Sequence, residues 1–154
     1  MTAVILSRKL TLSIPRDHAQ SLADEFKLWR EDGIGPGDTF GKDSAFMKPK
    51  ALTDLGLRKV HLESDNVVEQ WNRKIALGET DPQRFTSDRV LVYGKLGDMR
   101  LTPFLLLTIL DPGHSYMEQP DLVRGLGIFF ETERSEIGKR FLSSEWVTAG
   151  FPCE

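Results

Sequence analysis

Apolar positions along this chain fall on two periods, and the switches between them mark its elements. Residues 4–14 (VILSRKLTLSI) are rich in branched and apolar side chains. Leu10, Leu12 and Ile14 alternate there with Lys9, Thr11 and Ser13, which predicts a strand with one buried face. Pro15 and Asp17 suit the first turn of a helix, where a missing N–H costs nothing and acidic charge meets the helix dipole. Ala19, Leu22, Ala23, Phe26 and Trp29 then form one helical stripe, and Gly33 is placed to end it. Residues 33–56, with five glycines and two prolines, read as a long loop, the kind that carries function or hides a short helix. The segment 57–63 predicts a short strand with Leu57, Lys59, His61 and Glu63 on one face and Arg58, Val60 and Leu62 on the other. Residues 65–78 suit a short helix bearing Val68, Trp71 and Ile75, and 79–88 are turn-rich. Two strands follow, 90–93 and 104–110, with Gly97-Asp98 as a hairpin turn between them, so the two run antiparallel. The unbroken run FLLLTIL reads as a central strand covered on both faces. DPGH at 111–114 is a turn, and 121–142 reads as a helix with Leu122, Leu126, Phe129, Phe130, Ile137 and Phe141 as its apolar positions. The expected architecture is a small α+β domain over residues 1–142. A mostly antiparallel sheet carries an N-terminal helix after its first strand and a C-terminal helix packed on it. Residues 143–154 are expected to form a loose tail.

Composition narrows the class without naming a function. A chain of 154 residues with 40% hydrophobic and 28% charged residues can bury a core, and it has no repeat or low-complexity tract. One cysteine, Cys153, excludes a disulfide framework and a thiolate metal cluster. The longest apolar run is too short to span a bilayer and the N-terminus lacks a signal-peptide layout, so a cytoplasmic location is expected. The formal charge of −3 hides an asymmetry. Residues 41–62 hold five basic and two acidic side chains, whereas residues 111–154 hold four and eight. A polyanion would therefore have to meet a local basic patch in the middle of the chain.

Four segments together resemble the YafO family of bacterial toxins, among the RelE-like messenger-RNA interferases. They are Asp32-Gly33, Pro36 and Phe40-Gly41-Lys42-Asp43 in the loop, KVHL at 59–62, TSDRVLVYG at 86–94, and LLLTILDPGH at 105–114. They lie in the family's order and cover residues 10–141. The resemblance implies a RelE-like fold and a type II toxin that cuts messenger RNA at the 70S ribosomal A site. It also implies a cognate antitoxin partner. No cofactor and no membrane contact are expected from the residues, and a homodimer stays open. Lys59 stands where the family motif has a first histidine, and Glu118 where a basic residue is expected. Those two positions keep a second reading open, a catalytically inactive module of the same fold that acts by binding a protein. A toxin on this scaffold with another target is a third.

Metal-free RNA cleavage needs a base for the 2′-hydroxyl, an acid for the 5′-oxygen and cations for the phosphorane. The histidines at 18, 61 and 114 have no metal-binding spacing, and neither GxSxG nor a phosphate-binding glycine loop is present. His61, on a strand, and His114, just past the end of another, are the acid–base candidates. Lys42 can hold a phosphate, Asp43 can orient a base, and Tyr93 can stack a base or donate a proton. Arg84, Arg89 and Lys59 are the candidate substrate-binding cations. His18 lies outside the motifs and reads as a surface residue, Asp88 reads as ordering its turn, and Trp146 is the aromatic ring expected to be exposed.

Overall fold

The computed structural model describes residues 3–32, 39–96 and 103–140. The expected hairpin turn at Gly97-Asp98, the helix end at Gly33, Pro36, Phe141, Trp146 and the tail 143–154 lie outside the described residues. In chain order the elements are β1 (Val4–Leu6), α1 (Arg8–Ser13), α2 (Arg16–Asp32), β2 (Phe40–Ala45), α3 (Lys50–Asp54), β3 (Arg58–Leu62), α4 (Val68–Ala76), β4 (Val90–Lys95), β5 (Phe104–Leu110), α5 (Gly113–Met117) and α6 (Pro120–Arg140). A short 3₁₀ turn, Pro82–Arg84, precedes β4. Among the described residues no helix is long and apolar enough to cross a membrane.

The five strands form one sheet in the order β1-β5-β4-β3-β2. β1 runs parallel to β5, and every other neighbour is antiparallel. The α+β class and the antiparallel pairing of the two apolar strands thus agree with expectation. Two local expectations are corrected.

The strand expected over 4–14 stops at Leu6. Ser7, fully buried, accepts the Leu10 N–H at 3.0 Å through its Oγ and so caps α1. Its hydroxyl donates to the Leu107 carbonyl at 2.6 Å, which ties the cap to β5. The Glu133 carboxylate of α6 accepts the Arg8 N–H at 2.9 Å, so a second acceptor serves the same helix start. With the backbone turned helical, Leu12 is left 87% exposed instead of joining a strand's apolar face.

The loop expected over 33–56 contains β2 and α3. β2 (FGKDSA) has no apolar alternation because it is an edge strand with an irregular register: Phe40 pairs with Leu62, and three residues later Asp43 pairs with Val60. The extra residue leaves Phe40 and Asp43 on the α2 side, with Gly41 and Lys42 between them. A Cβ at Gly41 would lie 2.2 Å from the Phe85 carbonyl oxygen and 2.7 Å from the Trp71 ring, so the bulge requires glycine. The Lys42 N–H donates to the Phe85 carbonyl at 2.8 Å and fixes the bulge against the turn before β4.

Each face of the sheet has its own core. On one face α1 and α2 bury Leu10, Leu22 and Phe26 against Val60, Leu91, Tyr93 and Leu106. Phe26 is the hub, with edge contacts to Trp29, Phe40, Tyr93 and Phe104 at centroid distances of 5.0–5.9 Å. On the other face α3 and α6 bury Leu52, Val123, Leu126 and Phe130 against Leu57, Val92, Leu105 and Leu107. β5 is therefore covered on both faces, as its unbroken apolar run predicted.

Candidate functional site

The sheet sorts the candidate residues into two groups on opposite faces. Strand alternation aims Arg58, Val60 and Leu62 of β3 toward α2, and Lys59 and His61 away from it. On the side away from α2, Lys42, Lys59 and His114 all lie close enough to His61 for their charges to disfavour its protonation. Lys59 sits 3.8 Å from the Met117 sulfur on α5 and 5.0 Å from the centroid of the Phe46 ring. Burial first, then the charge of Lys42, lowers the affinity of Lys59 for its proton. Four of the eight residues picked from the sequence thus meet on one face: His61, His114, Lys42 and Lys59.

The turn before β4 holds both histidines. His61 is only 8% exposed, and its Nδ1 lies 2.6 Å from the Ser87 carbonyl, to which it donates in the tautomer that leaves Nε2 unprotonated, with the Ser87 nitrogen 2.9 Å away. Nε2 is the nitrogen left for chemistry. Burial is the main cause holding His61 below its ordinary pKa, and the three neighbouring cations add to it. The Ser87 hydroxyl stands 2.5 Å from the Leu62 carbonyl and 2.9 Å from the Arg89 carbonyl, which clamps the turn between β3 and β4.

The next residue, Asp88, holds His114. Its Oδ1 accepts the His114 backbone N–H at 2.8 Å and lies 2.7 Å from the His114 Nδ1. The backbone bond from His114 first, then the ring, lowers the Asp88 pKa and keeps the carboxylate ionised. With a carboxylate on Nδ1, that nitrogen carries the proton and Nε2 faces outward. The His114 side chain is 70% exposed and so open to a large substrate. Gly113 makes this approach possible, because a Cβ there would stand 2.8 Å from Val90 Cγ2 and 3.3 Å from the Asp88 carbonyl.

Asp43 and Tyr93 stand on the opposite face. Tyr93 is fully buried and its hydroxyl donates to Asp43 Oδ1 at 2.7 Å. Burial first, then the Asp43 carboxylate, raises the Tyr93 pKa far above its ordinary value. The expectation that Tyr93 stacks a base or delivers a proton is therefore corrected, since its ring is sealed in the α2 core. Asp43 pairs with Arg58 at 3.1 Å and Arg30 at 3.7 Å rather than with a histidine. Burial opposes the charge of Arg58, but the bond and charge of Asp43 outweigh it and raise the Arg58 pKa. Asp43 is thus the centre of a structural cluster tying α2 to β2, β3 and β4.

The two remaining arginines do not join the histidines. Arg84 pairs with Glu79 at 2.8 Å on an exposed turn. Arg89 extends on the α2 side, between α2 and the end of β5. His18 also lines a cleft on that side, away from His61. The sequence reading missed Asp88 as the partner of His114 and Ser87 as the clamp on His61. Both lie inside the TSD segment picked out by resemblance, but a contact 26 residues distant has no local signature.

A match to a family model completes these observations: the model for toxin YafO, type II toxin–antitoxin system, matches residues 26–132. That span takes in β2, β3, β4, β5, the TSD turn and α5 with its histidine. The chain belongs to the YafO family of type II toxin–antitoxin toxins. Comparisons with curated proteins and with solved structures gave no match.

Proposed function

We propose that this toxin is a ribosome-dependent endoribonuclease and that the face bearing His61 and His114 is its active site. One observation carries the proposal: two imidazoles and two lysines share one face, and adjacent residues of one turn hold the two Nδ1 atoms. Membership in a toxin family supplies the biological setting, including an antitoxin partner.

In this reading neutral His61, at Nε2, takes the proton of the 2′-hydroxyl. The 2′-oxygen forms a bond to the adjacent phosphorus and the bond from phosphorus to the 5′-oxygen breaks. His114, its imidazolium backed by Asp88, gives the leaving oxygen a proton from Nε2. The products are a 2′,3′-cyclic phosphate and a 5′-hydroxyl, and no atom from a metal or cofactor enters the balance. Lys42 and Lys59 stabilise the charge of the phosphorane. The ribosome supplies the positioning that a chain of net charge −3 does not supply by itself. The test is messenger RNA incubated with the protein, with and without 70S ribosomes. Cleavage only with ribosomes is expected, whereas intact RNA in both conditions would favour the inactive interaction module.

Asp88→Asn isolates the positioning role. Asparagine keeps an acceptor for the His114 backbone N–H but removes the carboxylate that holds the ring through Nδ1. The expected result is a fall in kcat on the order of 10²-fold with KM little changed, and partial recovery in Asp88→Glu. An equal rise in KM with kcat retained would instead make Asp88 a binding residue.

His61 also makes stability depend on pH. Its folded pKa lies below its ordinary value of 6.5, so the unfolded chain binds the proton more readily. This contribution is full above pH 6.5 and is lost as pH falls from there through the lower folded pKa. Urea unfolding across pH 7.5 to 5.5 is expected to show the wild type weakening more than His61→Gln. Equal slopes would contradict the neutral, buried imidazole.

A further inference from the structure

A second feature lies where the sheet is left open. β1 pairs only with Phe104–Leu106, so the last residues of β5 have no strand neighbour on that edge. A groove of about 600 Å³ occupies the space between α1, the end of β5 and α6. Its apolar walls include Leu10, Ile14, Ile109, Leu122, Leu126 and Phe129. Such a surface is costly for a chain without a partner.

The charges in the groove indicate what kind of partner fits. Lys9 stands with its ammonium 6.0 Å from the Phe129 ring centroid. Arg89 lines this groove and also a neighbouring cleft beside α2, and its Nε is buried without a hydrogen-bond partner. Lys9 and Arg89 give the groove two cations beside its apolar walls, and these favour an incoming carboxylate. Asp111 is the acidic member of the lining. The groove therefore suits a peptide that presents aliphatic or aromatic side chains together with an acidic residue.

We propose that this groove is the docking site of the antitoxin, which seats an apolar segment between α1 and α6 and places a carboxylate on Arg89. The proposal rests on the antitoxin partner that family membership implies. It also connects binding to inhibition. Tyr116, two residues after His114 in α5, lines the groove, and Arg89 directly follows Asp88. A docked segment thus touches both elements that carry the His114–Asp88 pair.

Gly125 provides the test. It lies on the groove wall, and a Cβ there meets no atom within 4 Å, so Gly125→Trp fills the groove without a clash at its root. Full-length wild type, Gly125→Trp and Arg89→Glu are titrated with the purified cognate antitoxin, and messenger-RNA cleavage by free Gly125→Trp is measured alongside. The expected result is affinity weakened at least about tenfold in each variant, with the cleavage activity of Gly125→Trp retained. Hydrogen exchange on the wild-type complex is expected to show protection of residues 8–14 and 108–111. Unchanged affinity in both variants, or protection confined to other segments, overturns the proposal. If the wild type binds no antitoxin, the partner reading itself fails and the docking site falls with it.

Discussion

His114→Ala is expected to lower the rate of ribosome-dependent messenger-RNA cleavage by about 10²–10⁴-fold, and His61→Ala by a similar factor. The losses should not multiply in the double variant, because removing either the acid or the base already stalls the same step. The two substitutions differ in what else they touch. The His114 side chain is exposed, so its loss should leave the unfolding midpoint near that of the wild type. His61 is buried and bonded to the Ser87 backbone, so its loss should also loosen the turn before β4. Single-turnover cleavage on programmed ribosomes, with urea unfolding of each variant, separates the two effects. Full activity in folded His114→Ala would remove the proposed acid.

Phe26→Ala is expected to have the largest effect on stability, about 3–5 kcal/mol. Its ring meets four others edge-on, and truncation opens a hole under the centre of the sheet. The same ring packs on Tyr93, so the cluster of Asp43, Arg58 and Arg30 loses its support. Chemical unfolding followed by circular dichroism measures the loss. A cost below about 1 kcal/mol would mean that the α2 face collapses onto the gap. Cleavage per folded molecule should survive, because the histidines stand on the other face.

How much of this could be read from the chain depends on the range of the interactions. The α2 stripe, the β4–β5 pair and the long C-terminal helix follow from periodic burial, which is a local signal. β2 was hidden because an edge strand with a bulge needs glycine where another strand shows an apolar residue. α1 carries a strand-like signal because Leu10, Leu12 and Ile14 alternate with polar residues. Its start is decided instead by Ser7, which bonds Leu107 one hundred residues away. In the candidate site, alternation along β3 correctly separated Lys59 and His61 from Arg58. It could not reveal that the bulge sends Lys42 and Asp43 to opposite faces, nor that Asp88 reaches His114. Tyr93 shows the opposite limit: a tyrosine ending a strand reads as exposed chemistry, and only the packing of α2 shows it buried.

One measurement bears most directly on the face that carries His61 and His114: mapping the ends of messenger RNA cut on 70S ribosomes by the wild-type protein. Attack by the 2′-hydroxyl predicts a 2′,3′-cyclic phosphate on the upstream fragment and a 5′-hydroxyl on the downstream one, with neither product formed by His114→Ala. Fragments ending in a 3′-hydroxyl and a 5′-phosphate, or no cleavage on ribosomes at all, would contradict it.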